Sequence, residues 1–309
     1  MSDFTSAKTS HRHGVISVLV ALPFVSLTGL FGKFLTLSPL LIVQGRTVFA
    51  FGALFLALFF LRKKIFFSDL REWLWLALSG SILGVHWIAF FQAIQVSTVA
   101  IGLLSFASYP LFTTLLEPLF FRESLRVRNV FAALIVICGL ALMATSSSDD
   151  SNTIISGSVF HGILWGLMAG FGFAVLTLLN RGHVRKHSAL LITCWQNGFA
   201  ALLILPWSLS ESWILSGKEL GLLFLLGVVC TVGGHTLLIN GLRHVRAQVA
   251  SLLIAGLEPV FAILFALFLL EEIPSLQTLL GGVLIISTTV FIIYRSEEHT
   301  SELQSRAYL

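Results

Sequence analysis

Glu258, Arg46, His86 and His235 are polar residues set inside long apolar runs, and each has a side chain that could do chemistry there. Glu258 directly precedes Pro259, which has no amide donor and frees the carbonyl of Ala255. A carboxylate beside an opened helix can bind an ammonium group, carry a proton, or serve structurally once it is neutralised by protonation or by a neighbouring helix. The Arg46 guanidinium can clamp a ligand carboxylate, pair with a carboxylate of the chain, or snorkel to a nearby membrane face. Imidazoles titrate near neutral pH, so His86 and His235 can relay protons or hydrogen-bond within the packing. Gln196 and Asn197 can hold a ligand or join helices. Trp87, Trp165 and Trp195 can line a cavity, which would favour amphipathic or aromatic compounds, whereas Trp73, Trp207 and Trp213 suit a membrane interface. No metal, cofactor or disulfide framework is expected. Cys138, Cys194 and Cys230 lie far apart in apolar text and read as free thiols.

The elements that must position these groups are set by composition. Of 309 residues, 11% are charged and 56% hydrophobic, against roughly 25% charged in a soluble domain. So few charges cannot cover a water-soluble surface, which excludes a soluble globule and a disordered chain. A helix needs about 20 apolar residues to cross the hydrocarbon core. Ten runs qualify: Gly14 to Phe31, Pro39 to Leu61, Trp73 to Phe91, Ser97 to Phe121, Val127 to Thr145, Ser158 to Asn180, Ala189 to Ser208, Leu220 to Asn240, Ala247 to Leu270 and Pro274 to Tyr294. They show no dyad alternation, so they read as helices and not as barrel strands. The first follows Lys8 and Arg12 without a small-x-small cleavage pattern and reads as an uncleaved span.

Cations fall on one side of this arrangement. Alternate loops hold Arg62, Lys63, Lys64, Arg71, Arg122, Arg126, Arg128, Arg181, Arg185, Lys186, Arg243 and Arg246, and the opposite loops hold only Lys33 and Lys218. The positive-inside rule then places both termini in the cytoplasm of a multi-pass protein of the cell (inner or plasma) membrane. The net charge of +4 is therefore a sign of orientation, not of a nucleic-acid partner. The final stretch, Ser296 to Leu309, breaks abruptly from the apolar text. It reads as a solvated tail or as translated adapter sequence foreign to the protein.

The chain also repeats. A shift of 149 residues aligns His86 with His235, Val96 with Val245, Pro110 with Pro259, Phe112 with Phe261 and Glu123 with Glu272, and a shift of 150 aligns Phe49 and Ala50 with Phe199 and Ala200. Each half has five spans, and an odd number makes the second half enter from the opposite side, an inverted repeat. The predicted organisation is a cytoplasmic segment 1–13, a first repeat 14–145, a linker 146–157, a second repeat 158–295 and the tail 296–309. Gly80 with Gly84, and Gly162, Gly166 and Gly170, have the small-xxx-small spacing that lets helices approach closely.

Lys33, Pro39 and Arg46, the segment Tyr109 to Glu123, and the segment Leu257 to Glu272 followed by the Gly-Gly-bearing last span together resemble the EamA-type repeat of the drug/metabolite transporter superfamily. In both halves a proline (Pro110, Pro259) is followed thirteen residues later by a glutamate (Glu123, Glu272). The resemblance runs to Arg295 and implies an all-α membrane protein of ten transmembrane helices, two inverted five-helix repeats around a central cavity. The first four helices of each half would surround that cavity. It also implies transport of small metabolites, amino acids or toxic compounds, commonly export, and it places Lys33 in one motif with Arg46. Tyr109 opens the first motif and joins the cavity candidates. Glu117 before Pro118 departs from the pattern, and its role is unexplained. Glu123 and Glu272 are expected to be structural, capping the following helices.

Three functions compete at this point. A secondary transporter would take its energy from a proton or substrate gradient, since no phosphate-binding G-x-x-x-x-G-K-[ST] is present. An intramembrane enzyme lacks support, because neither H-E-x-x-H nor G-x-S-x-G occurs. A non-transporting scaffold or receptor does not explain the repeat. The expected partners are a small-molecule substrate, the lipid bilayer and protons.

Overall fold

The computed structural model describes residues 2–121, 131, 134, 135, 138–140, 142, 157–184, 186–245, 247–288, 290 and 291. Among them every regular element is a helix. They are α1 (Ser2–Phe34), α2 (Pro39–Phe60), α3 (Leu70–Val96), α4 (Val99–Phe106), α5 (Tyr109–Phe121), α6 (Gly157–His183), α7 (Ala189–Ser208), α8 (Gly217–His244), α9 (Ala247–Leu270) and α10 (Leu276–Thr288). Glu123, most of the expected fifth span, the linker up to 156, the end of the tenth span and the tail lie outside the described residues, as do the side chains of Glu117 and Pro118.

Short hydroxyl and carboxylate side chains set where helices begin, by accepting from amides that have no partner inside the helix. Ser38 accepts from Leu41 N and Ser188 from Leu191 N, both at 3.3 Å, and Thr98 accepts from Ile101 N at 3.1 Å. Ser216 and Glu219 form a reciprocal capping box at the start of α8. Ser275 accepts from Thr278 N at the start of α10, so the first-turn hydrogen bond there is made by Ser275 and not by Glu272.

Seven helical stretches among the described residues are long and apolar enough to cross a membrane: His13–Phe34, Pro39–Phe60, Leu70–Val96, Val99–Leu116, Gly157–His183, Ala189–Ser208 and Gly217–His244. Ile254–Leu270 and Leu276–Thr288 are apolar but shorter. Apolar side chains fill the core and also cover much of the outside, and several polar side chains are buried. Phe59, Phe60, Val85, Phe171, Leu202 and Phe268 are exposed, while Gln44, Arg46, His86, Asn197, Thr231 and Glu258 are buried.

Two helices depart from a plain α-helical reading. The run Ser97 to Phe121 is broken at Ala107–Ser108, just ahead of Pro110, which cannot donate to the carbonyl of Phe106. That carbonyl instead faces Gly170 on α6, where a Cβ would lie 3.0 Å from it. In α8 the turn widens to a π-helix over Leu225–His235. The wider turn lets the Thr231 hydroxyl donate to Leu226 O at 2.7 Å.

Helices of the two halves pack against each other: α3 on α6 and α7, α2 on α7 and α8, α1 on α8 and α9, and α4 on α6. Glycines permit the close seams. A Cβ at Gly80 of α3 would meet Phe199 Cβ at 2.6 Å and Gln196 O at 2.7 Å. A Cβ at Gly227 of α8 would meet Phe49 Cβ at 2.6 Å and Arg46 O at 2.8 Å. The bundle has two polar ends. At one, Glu72 lies 3.4 Å from both His183 and His187 and 3.9 Å from Lys186, and Arg243 donates to the carbonyls of Val184 and His187. At the other, Thr36 donates to Glu219 at 2.6 Å and Ser38 donates to Glu211.

Candidate functional site

Three elements bring the central candidates together: α2 supplies Arg46, α3 supplies His86 and Trp87, and the π-helical part of α8 supplies Thr231 and His235. Arg46 does not snorkel. It is 0% exposed, with Nε and Nη2 donating to Thr231 Oγ1 at 3.2 and 2.7 Å. Its guanidinium carbon lies 3.5 Å above the centroid of the Trp87 ring and 5.6 Å from that of Phe91, within cation–π range of both. Gly227 makes this possible, because its missing side chain lets α2 and α8 meet at the backbone of Arg46 itself.

The two histidines flank the same indole. His86 has its ring centroid 4.8 Å from Trp87, and His235 lies 5.4 Å from Trp87. His86 Nδ1 donates to the carbonyl of Ala169 at 2.8 Å, which fixes the ring against α6. Aromatic contact continues outward from His86 to Phe106 and Phe173, and Tyr109 stacks on Phe106 at 5.2 Å. Tyr109, Trp87, Arg46 and both histidines therefore form one connected buried cluster.

The arrangement gathers a cation, two imidazoles and flat rings among buried residues, groups whose chemistry can hydrogen-bond and stack on a polar organic solute. Among the described residues no group of three or more His, Cys, Asp or Glu is placed to hold a metal.

Comparison with known proteins gives this cluster its setting. The model of the EamA-like transporter family matches residues 12–145 and again 160–294. The chain belongs to the EamA-like transporter family. It is 26% identical to the uncharacterized transporter YwfM of Bacillus subtilis, over 81% of this chain and 84% of that one. It is 30% identical to an S-adenosylmethionine uptake transporter of Rickettsia felis, over 63% of each. A solved crystal structure covers 91% of this chain and 94% of its own with a TM-score of 0.63 at 17% identity, a likeness of fold. This EamA-family chain is thus an integral membrane transporter of small molecules.

Other candidates sit apart from the cluster. Gln196 donates to Asn180 at 2.6 Å, and Asn197 donates to Thr193 O on its own helix. Trp195 belongs to one end of the bundle, where Nε1 donates to Ile65 O at 2.7 Å and the ring packs against Trp73 at 4.6 Å. Trp165 is half-buried against the main core. Lys33 donates to Ser97 O at 2.6 Å and lies within electrostatic reach of Glu272, so it is tied to the ends of α3 and α9 and not to Arg46. It lines a cleft of about 360 Å³ with Thr36, Ser38 and Gln95. Glu258, 2% exposed, is in no ion pair among the described residues, and Pro259 beside it is carried within a continuous α9.

Thr231, Phe91, Phe106 and Phe173 complete the cluster and went unremarked in the sequence. Only the Gly233-Gly234 pair beside Thr231 hinted that α8 is irregular there. Nothing in the sequence flagged Glu72 as the centre of a polar end.

Proposed function

We propose that this protein is a secondary transporter that moves amino acids or related amphipathic compounds across the cell membrane by alternating access, with net export. In this reading 14–145 and 158–295 are inverted five-helix repeats, joined by the linker 146–157, with both termini cytoplasmic. The observation that carries the proposal is the buried cluster of Arg46, Trp87, His86 and His235 at the junction of the two halves. Reciprocal packing supports the repeat. Gly80 meets Gln196, Phe199 and Ala200, while Gly227 meets Arg46, Phe49 and Ala50, which are the same positions displaced by about half the chain. An inverted repeat yields two conformations that exchange roles on the two faces.

Proton coupling would run through Glu258, with His86 and His235 as relays. The substrate name carried by the Rickettsia relatives favours amino-acid-derived solutes, and their description as uptake proteins favours inward movement as the second reading. Purified protein in sealed liposomes tests both. Flux of a labelled amino acid or of S-adenosylmethionine, driven by an imposed pH gradient, supports transport, and the sign of the effective gradient decides direction. Conversion of the solute without flux would support an enzyme instead.

A further inference from the structure

We infer that Arg46 binds a carboxylate of the transported compound. The inference rests on the transporter reading and names the chemistry of its substrate. A charge in the middle of a bilayer costs about 2.5–3.5 kcal/mol on insertion scales, so it requires a counter-charge or a wet cavity. Arg46 is fully buried, and among the described residues no Asp or Glu forms an ion pair with it. Among the described residues, the titratable groups placed within its electrostatic reach are Cys230, His86 and His235, a thiol and two imidazoles. None supplies a carboxylate.

The donors point the same way. Thr231 takes Nε and Nη2 and so fixes the plane of the guanidinium, and Nη1 is left without an acceptor. Trp87 Nε1, on the ring beneath that plane, is also buried without an acceptor. Two unpartnered N–H donors on side chains in direct contact, together with an unbalanced positive charge, lack an anion that brings acceptors with it. A side chain kept only for packing would have its donors satisfied. A carboxylate fits better than a phosphate, because one guanidinium edge and one indole N–H match a planar monoanion, whereas a phosphate dianion needs further cations.

The test uses the full chain in lipid nanodiscs, with no gradient. Acetate, phenylacetate and indole-3-acetate are each compared with the corresponding amide for their effect on the thermal midpoint. At least one carboxylate is expected to raise the midpoint above its amide, and Arg46→Met is expected to abolish that preference. Arg46→Met without ligand is expected to melt above the native chain, because it removes an unpaired buried charge. Arg46→Lys keeps the charge but not the fork and should weaken carboxylate binding about tenfold. Equal effects of acids and amides, with Arg46→Met melting below the native chain, would make Arg46 a structural anchor and overturn the inference. The two readings fail separately. Carboxylate binding without liposome flux defeats transport alone, and flux of neutral or cationic solutes unchanged by Arg46→Met defeats this inference alone.

Discussion

Arg46 is held on one side only. Thr231 Oγ1 accepts two of its N–H groups and the guanidinium carbon lies over the Trp87 ring, while Nη1 has no hydrogen-bond partner among the described residues. Replacing Thr231 with valine keeps the shape and deletes the acceptor, which strands two more buried donors on a charged group. The expected loss is about 1–3 kcal/mol of stability, read as a lower thermal midpoint in nanodiscs with unchanged membrane insertion. Glu258 is the buried carboxylate among the described residues, and it lies on α9 outside this cluster. If it carries the coupling proton, Glu258→Gln should insert normally and lose the pH dependence of flux; full activity with the native pH profile would remove it from the mechanism. Both residues were visible in the sequence because charges inside apolar runs are costly and therefore rare. The Arg46 partners Thr231 and Phe91 were not, since a threonine and a phenylalanine among so many apolar residues carry no such mark. The same limit applied to Lys33, whose carbonyl partner on Ser97 is a tertiary contact that spacing cannot reveal.

At the scale of the helices, approach distance controls whether the cluster exists. Gly227 and Gly80 place backbone against backbone at the α2–α8 and α3–α7 seams. Alanine at Gly227 would drive a methyl group into Arg46 O and Phe49 Cβ and should cost about 1–3 kcal/mol, measured by thermal unfolding. Gly52 on α2 has open space around its Cβ position, so Gly52→Ala should be neutral or slightly stabilising and serves as the control. The long apolar helices were legible from hydropathy alone, since length and polarity dictate them. The break at Ala107–Ser108 was half legible, because Pro110 was known but the carbonyl-accepting surface at Gly170 was not. The π-helical turn of α8 was not legible. It depends on packing of Thr231 and the paired glycines against α1 and α2, and it is the turn that carries Thr231 to Arg46.

For the whole molecule, the central cluster lies between two polar ends, each bridged by contacts across the halves. Glu72 gathers His183, His187 and Lys186 at one end, and Glu219 and Glu211 bind Thr36 and Ser38 at the other. The alternating access proposed above would require these ends to open in turn while the middle stays a single site. Glu72, His183 and His187 are only partly exposed, and the contacts at the other end are hydrogen bonds to carboxylates. Charged hydrogen bonds shielded from water contribute about 1.5–3 kcal/mol each, an amount that exchanging one set for another between two conformations can offset. Glu72→Gln should therefore leave folding intact and bias the population toward opening at the end that holds Lys63 and Lys64. Cys230 provides a native reporter, for it is buried and within electrostatic reach of Arg46. With Cys138 and Cys194 changed to serine, Cys230 is the one thiol remaining in the chain. The most direct measurement is its modification by a small membrane-impermeant thiosulfonate applied separately to each face of sealed vesicles. Alternating access at the central site gives modification from both faces while the vesicles stay impermeable to the reagent, and Glu72→Gln speeds the reaction from its own side. Modification from one face only, unchanged by Glu72→Gln, would contradict it.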